Sequence, residues 1–283
     1  MATFVYVETE TGFIKMKKMR KTSFILFIAL LSVVAGAACN RRQSETRPGD
    51  QDHLIMSVLW FQKSAEMRAL FVQGYNIASE RLTEAVASRK GDKPLAVVAD
   101  LDETILDNSR YEVWQVQTGN GFSEANWKEW TDRAEAEALP GALEFTRLAE
   151  SLGVDVFYVS NRTVDDAFNS TLENLRRLGF PFADTAHLLL KTTTSSKTDR
   201  RNTILETHDI ILLLGDNLAD HSSIFEKRDR NLGFDDVDSL ASLFGNRYIV
   251  FPNPMYGNWE RPALMPDENI PARQRYIKSL KGY

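Results

Sequence analysis

The sequence predicts an α/β fold: a Rossmann-like parallel sheet core joined to a smaller, mainly helical domain. Three apolar runs, the segments Leu95–Ala99, Val154–Val159 and Ile210–Leu214, have the look of strands buried on both faces. Each ends in a polar cluster: Asp100-Leu-Asp-Glu-Thr104, Ser160-Asn161-Arg162 and Gly215-Asp216-Asn217. Helical segments separate the runs, as parallel strands require crossover connections.

Taken in order, His53 to about Ser88 predicts one long helix, with apolar residues at Leu59, Phe61, Met67, Leu70, Phe71, Tyr75, Ile77 and Ala78 and no proline. This segment, residues 53–92, is assigned to the smaller domain. Residues 93–283 form the α/β core, with a Trp-, Glu- and Gln-rich helical insertion at about 108–139. Pro140-Gly141 opens a helix over Ala142–Leu152, and Val164–Leu178 is a helix stopped by Gly179. A short apolar run, His187–Leu190, leads to a polar loop and then a helix over Lys197–Glu206. Arg247–Phe251 is the last strand, closed by Pro252-Asn253-Pro254. There is no internal repeat.

Residues 1–38 read as an export signal. Lys15, Lys17, Lys18, Arg20 and Lys21 precede an uncharged apolar or small run, Phe24–Ala38, that is short for a membrane span. Residues before Met16 fit no such pattern, which suggests translation from Met16 or Met19. Gly36-Ala37-Ala38 stands before Cys39, the single cysteine, so no intrachain disulfide exists. Residues 39–52 form a polar tether. Without residues 1–38, which hold five basic and two acidic side chains, 29 basic and 37 acidic side chains remain, a net charge of −8. That surface disfavours a nucleic acid polymer and leaves room for a small phosphorylated ligand.

The chemistry concentrates at the predicted strand ends, where ligands sit in open parallel sheets. Asp100 and Asp102 straddle Leu101. Carboxylates so close repel unless a cation or proton intervenes, and Mg²⁺ suits such oxygens together with a phosphate. Asp216, at another strand end, is the second candidate carboxylate ligand. A lone Asp is as readily a cap or turn residue. The threefold repetition of apolar strand and polar cluster is what points to a site.

DLDET with GDNLAD resembles the haloacid dehalogenase superfamily, and specifically its class C acid phosphatases, bacterial lipoproteins that act as 5'-nucleotidases. LWFQKSAEMRAL, DLDETILDNSRYEVWQVQ, PGALEF, FYVSNR and PNPMYGNWE extend the resemblance over nearly all of the chain after the signal. It implies a core of the haloacid dehalogenase type. It makes Asp100 the nucleophile, forming an aspartyl-phosphate, and Asp102 the general acid and base. One Mg²⁺ would be held by the Asp100 and Asp216 carboxylates and the Asp102 carbonyl oxygen. Ser160 and Asn161 would hold phosphate oxygens, Lys197 would neutralise the phosphoryl group, and Asp220 would support the metal from behind. Trp127 and Tyr256 would sandwich the nucleotide base, with Trp130 a competitor for the first position. Cys39 resembles a lipobox cysteine, although Gly36 stands where a larger apolar residue is usual. The product would be anchored in the cell envelope. Asn40 after Cys39 favours the outer membrane over the inner.

Two departures stand out: His221 replaces the usual Phe and Arg110 the usual Pro. The expected activity is Mg²⁺-dependent hydrolysis of phosphate monoesters, foremost nucleoside 5'-monophosphates, at acidic pH. A broad sugar- or aryl-phosphate phosphatase and a non-catalytic ligand-binding surface lipoprotein are the alternatives. The expected partners are a small phosphorylated substrate and, through the lipid, the membrane; a homodimer is left open.

Overall fold

A computed structural model of the chain describes residues 51–228, 231–260 and 272–282. The expected signal, the candidate start residues, Cys39 and the tether as far as residue 50 lie outside these described residues.

Five parallel strands form the central sheet in the order β5-β4-β1-β6-β7: β1 Leu95–Ala99, β4 Asp155–Thr163, β5 Leu188–Lys191, β6 Asp209–Gly215 and β7 Tyr248–Val250. A two-stranded antiparallel pair, β2 Leu106–Asp107 with β3 Glu137–Ala138, lies apart from it. The helices are α1 Ile55–Lys63, α2 Ala65–Ala87, α3 Ser109–Thr118, α4 Glu124–Asp132, α5 Ala142–Ser151, α6 Val164–Leu178, α7 Thr198–Thr207, α8 Phe234–Ser239 and α9 Ala272–Ser279.

Every residue of β1 is buried, and alternation sends its side chains to two separate cores. Leu95, Val97 and Ala99 join Val156, Tyr158, Leu212 and Leu214 beneath side chains of α2, α5 and α6. Ala96 and Val98 join Phe157, Val159, Ile210 and Leu213 with Ile204 of α7. Helices on both faces explain why these strands are continuous apolar runs. β1 pairs with β4 on one side and β6 on the other, Ala99 facing both Tyr158 and Leu214. The ends of these three strands bound the crevice at which strand order switches.

The expected single helix over 53–88 is broken. Asp52–Leu54 is a 3₁₀ turn, so the tether ends one residue sooner than expected. Ser64 then interrupts the helix with an extended backbone, and its Oγ accepts a bond from Met67 N at 3.0 Å. A serine at such a place offers the backbone a cap instead of a further turn. The break lets α1 pack on α3 while α2 packs on α5 and the sheet. Phe71 stacks on Phe251 at 5.1 Å between centroids, and Tyr75 lies 4.5 Å from the same ring. Gly74 permits this approach: a Cβ there would lie 2.6 Å from the Phe251 ring.

Tyr75 also reaches the segment after β1, its hydroxyl donating to the Thr104 carbonyl at 2.6 Å in a buried setting. Tyr75→Phe would leave that carbonyl without its donor, at a cost of about 1–3 kcal/mol. Thermal denaturation should show a melting temperature lower by several degrees; an unchanged value would mean that this bond contributes nothing.

Candidate active site

β1 delivers Asp100 at its C-terminal end, where Asp100 N donates to the Leu214 carbonyl at 2.9 Å and so ties the segment to β6. The chain turns at once: Leu106 N and Ile105 N both donate to the Leu101 carbonyl, and Glu103 takes a left-handed backbone with φ 60°. Strain of that kind collects where surrounding structure enforces it. Here one Glu103 oxygen accepts from Asn108 N at 2.8 Å, and the carboxyl is fully buried. Burial, then the nearby charges of Asp102, Asp216 and Asp107, hold its pKa well above the usual range.

Asp100, Asp216 and Asp220 each offer an oxygen within 4.8 Å of the others. They come from the end of β1 and the segment after β6. Gly215 lets the second segment fold so tightly, since a Cβ there would meet the Asp220 side chain at 2.5 Å. Asp216 is oriented by Asn253, whose Nδ2 donates at 2.8 Å, and Asp220 accepts from Asn217 N at 2.9 Å. The Asp220 carboxylate, expected to support the metal from behind, stands beside those of Asp100 and Asp216, with Oδ2 taken by Asn217 N and Oδ1 by Lys197 Nζ. Asp220 follows Asp216 by four positions, and the 3₁₀ turn Leu218–Asp220 brings the chain back.

The electrostatics of this ring are unfavourable without a cation. Burial, opposed by Lys197 and reinforced by Asp220 and Asp102, pushes Asp100 up to about 7. Burial, Asp100 and Asp220 raise Asp216 well above its usual value. Lys197 Nζ contacts Asp100 Oδ1 and lies 2.7 Å from Asp220 Oδ1. Burial alone would lower the Lys197 pKa, but Asp100 and Asp220 raise it overall, so it is charged. One ammonium does not balance three carboxylates. Oxygen donors with this charge fit a divalent cation.

Asp102 turns away from that ring. Its Oδ1 accepts from Arg162 Nε at 2.9 Å, Arg162 Nη2 at 2.8 Å and Asn108 Nδ2 at 2.9 Å. Its Oδ2 accepts from Ser160 Oγ at 3.1 Å, with Arg162 Nε at 3.3 Å. Ser160 is fully buried and also accepts from Arg162 N at 3.1 Å. The Ser160 hydroxyl, expected to hold a phosphate oxygen, donates here to Asp102. Asn161 is exposed and lines the cavity, its Oδ1 accepting from Arg200 Nη2 at 2.7 Å. Arg200 Nη1 donates to the Ser160 carbonyl at 2.5 Å. Arg162, Asn108, Arg200 and Asn253 were not assigned roles from sequence. Arg162 had a usable signal: two residues after Ser160 on a strand, it shares that residue's face.

These groups open on a cavity of about 780 Å³, lined by Asp100, Asp102, Asn161, Lys197, Asp216 and Asp220 at one part and by Tyr111, Phe122, Trp127 and Tyr256 at another. Trp127 meets Tyr111 edge-on at 5.0 Å, and the Arg162 guanidinium carbon lies 5.8 Å from its ring centroid. Trp130 is not a lining residue; it is buried, with Nε1 donating to Asn108 Oδ1 at 2.9 Å. His221 is buried, with Nε2 3.1 Å from the Ile249 carbonyl oxygen, and burial lowers its pKa. An imidazole buried in this way fills the place where Phe is expected. Arg110 is exposed, 3.7 Å from Glu135.

Comparison with known proteins gives a family for this site. Residues 19–259 match the model for the HAD superfamily, subfamily IIIB (acid phosphatase). The structure of the class C acid phosphatase from Bacillus anthracis superposes with a TM-score of 0.76 at 39% identity, covering 83% of this chain and 99% of that one. The same enzyme with tungstate bound gives the same score and identity over 82% and 98%. Acid phosphatase 1 of Solanum lycopersicum is 29% identical over 166 residues, 56% of this chain and 57% of that protein. The stem 31 kDa glycoprotein of Glycine max is 28% identical over 163 residues, 55% and 57%. The chain thus spans little more than half the length of these curated relatives. The match across the whole α/β core, together with the likeness to the Bacillus anthracis enzyme over nearly its full length, shows that this chain belongs to subfamily IIIB of the HAD superfamily, in the class C acid phosphatase family.

Proposed function

We propose that this protein is an exported, lipid-anchored acid phosphatase that uses Mg²⁺ to hydrolyse nucleoside 5'-monophosphates through a phosphorylated Asp100. The observation that carries the reading is the meeting of the Asp100, Asp216 and Asp220 carboxylates with Lys197 at one wall of a cavity. Tungstate, a tetrahedral oxyanion like phosphate, is bound by the similar Bacillus anthracis enzyme.

Asp100 attacks phosphorus with a carboxylate oxygen, the ester P–O bond breaks, and the leaving alkoxide takes a proton from Asp102. Water then attacks the aspartyl-phosphate, gives its proton to Asp102, and the Asp100 O–P bond breaks to release phosphate. The Asp100 and Asp216 carboxylates and the Asp102 carbonyl oxygen would hold Mg²⁺, which when bound would supply charge stabilisation to the anionic phosphoryl group. Lys197 adds fixed positive charge from the protein itself. The cradle around Asp102 suits its two states. Oδ1 is committed to Arg162 and Asn108, while Oδ2 faces the Ser160 hydroxyl, which can donate to a bare oxygen or accept from a protonated one. Asn161, held by Arg200 at the cavity wall, would meet a phosphate oxygen. Trp127 and Tyr256 supply the aromatic surface for a base, worth about 1–3 kcal/mol per base.

Asp100→Asn should lower kcat for para-nitrophenyl phosphate and 5'-AMP by about a thousandfold or more. Retained turnover in that variant would remove Asp100 as nucleophile. Removing the metal should also expose the charge problem of the ring. Asp100 binds its proton more tightly folded than unfolded, so its contribution to stability is full below pH about 4 and is lost as pH rises through about 7. In chelator, denaturation midpoints should fall across that window; with Mg²⁺ the fall should flatten, and identical profiles would argue against a cation there. For the anchor, metabolic labelling with a fatty acid should mark the wild-type protein and not Cys39→Ser; equal labelling would place any acyl group elsewhere.

A further inference from the structure

Glu112 lies on the wall of the cavity, yet the phosphate chemistry gives it no task. It is 4% exposed, and its neighbour Gln115 is 5% exposed. Both are on α3 and both line the same cavity as Asp100. Gln115 Nε2 donates to Glu112 Oε2 at 2.6 Å, which fixes the carboxyl and leaves Oε1 as its oxygen for a ligand. Among the described residues no Lys, Arg or His forms an ion pair with Glu112. The charged group acting on it is another acid, Glu260, which lines the same cavity.

A buried carboxyl without a cation is costly to ionise. Burial and then Glu260 push Glu112 up to about 8, the condition that a positive ligand would relieve. The rings nearby add to this. Tyr111, Phe122, Trp127 and Tyr256 line the cavity, and aromatic faces attract cations. The cation already near Trp127, Arg162, has its charge matched by Asp102.

We propose that Glu112, braced by Gln115 and reinforced by Glu260, is a specificity-determining residue that makes this enzyme prefer phosphomonoesters whose ring carries a positive charge over neutral rings of the same size. This deepens the nucleotide reading given above and rests on it for the position of the ring. No new covalent step is involved, because the preference is exerted through binding.

A pair of isomers tests it. 1-Methyladenosine 5'-monophosphate carries a positive ring, and N6-methyladenosine 5'-monophosphate has the same atoms in a neutral one. Wild-type kcat/KM should favour the cationic isomer by about tenfold, the scale of one desolvated cation contact. The difference should lie mainly in KM, since Glu112 does not touch the reacting phosphorus. In Glu112→Gln, which keeps shape and an acceptor oxygen but not the charge, the ratio should fall to within about twofold. The ratio is taken within one preparation, so loss of folded protein cancels. A wild-type ratio near one, or a ratio unchanged in Glu112→Gln, overturns the proposal. Glycerol phosphate separates the two readings. If the neutral isomer is cleaved no better than glycerol phosphate while the Glu112-dependent advantage of the cationic isomer persists, nucleotide preference falls and charge selection stands.

Discussion

The ring of Asp100, Asp216 and Asp220 confines three carboxylates within 4.8 Å, and nearly everything around it serves to bear that repulsion. Lys197 sits between two of them and offsets part of the charge. Asn253 and Asn217 fix the oxygens by donating to them. Gly215 omits the side chain that would prevent the return of Asp220. Such a cluster is poor for stability by itself, since buried like charges oppose folding. It makes sense as a receptor for a cation and an anionic ester together, where each component cancels the cost of another.

The sheet makes this cluster possible by geometry. Parallel strands deliver their C-terminal ends to one edge, so residues far apart in sequence arrive together without long loops. β1 brings Asp100 and Asp102, β4 brings Ser160 and Arg162, and β6 leads to Asp216 and Asp220. The alternation of β4 has a further effect. Ser160 and Arg162 are both turned toward Asp102, and the fixed register between β1 and β4 sets their distance from it. Two sorts of acid therefore coexist within three residues: Asp100 faces an ammonium and other acids, while Asp102 is held by a guanidinium fork.

Much of this was legible in the sequence because it is local. Continuous apolar runs identified the central strands, and the polar clusters after them named the residues that meet in the crevice. What sequence missed depends on tertiary placement. Ser64 looked like one more residue of a helix, since a cap and a mid-helix serine differ only in what the backbone does next. The closeness of Asp220 to Asp100 was not legible, because it requires a 3₁₀ turn and a bare Gly215. The bond from the Ser160 hydroxyl to Asp102 was not legible either, because it depends on the register of two strands. Arg162 stood inside a recognised cluster, and only the packing reveals that it clamps a carboxylate. Glu112 carried no signal at all, because its significance arises from burial on the wall of a cavity that it shares with aromatic rings and with an acid near the other end of the chain.

The contact between Gly74 and Phe251 binds two distant positions into one unit of variation. A larger residue at 74 has room only if the ring at 251 shrinks. A smaller residue at 251 removes the ring neighbour of Tyr75, whose hydroxyl supports the backbone four residues after Asp100. The same shrinkage acts two residues before Asn253, which steadies Asp216. Drift at this helix–strand seam thus reaches the reaction centre from two directions, and compensating pairs of changes, rather than single ones, are the route by which descendants of this protein can alter it.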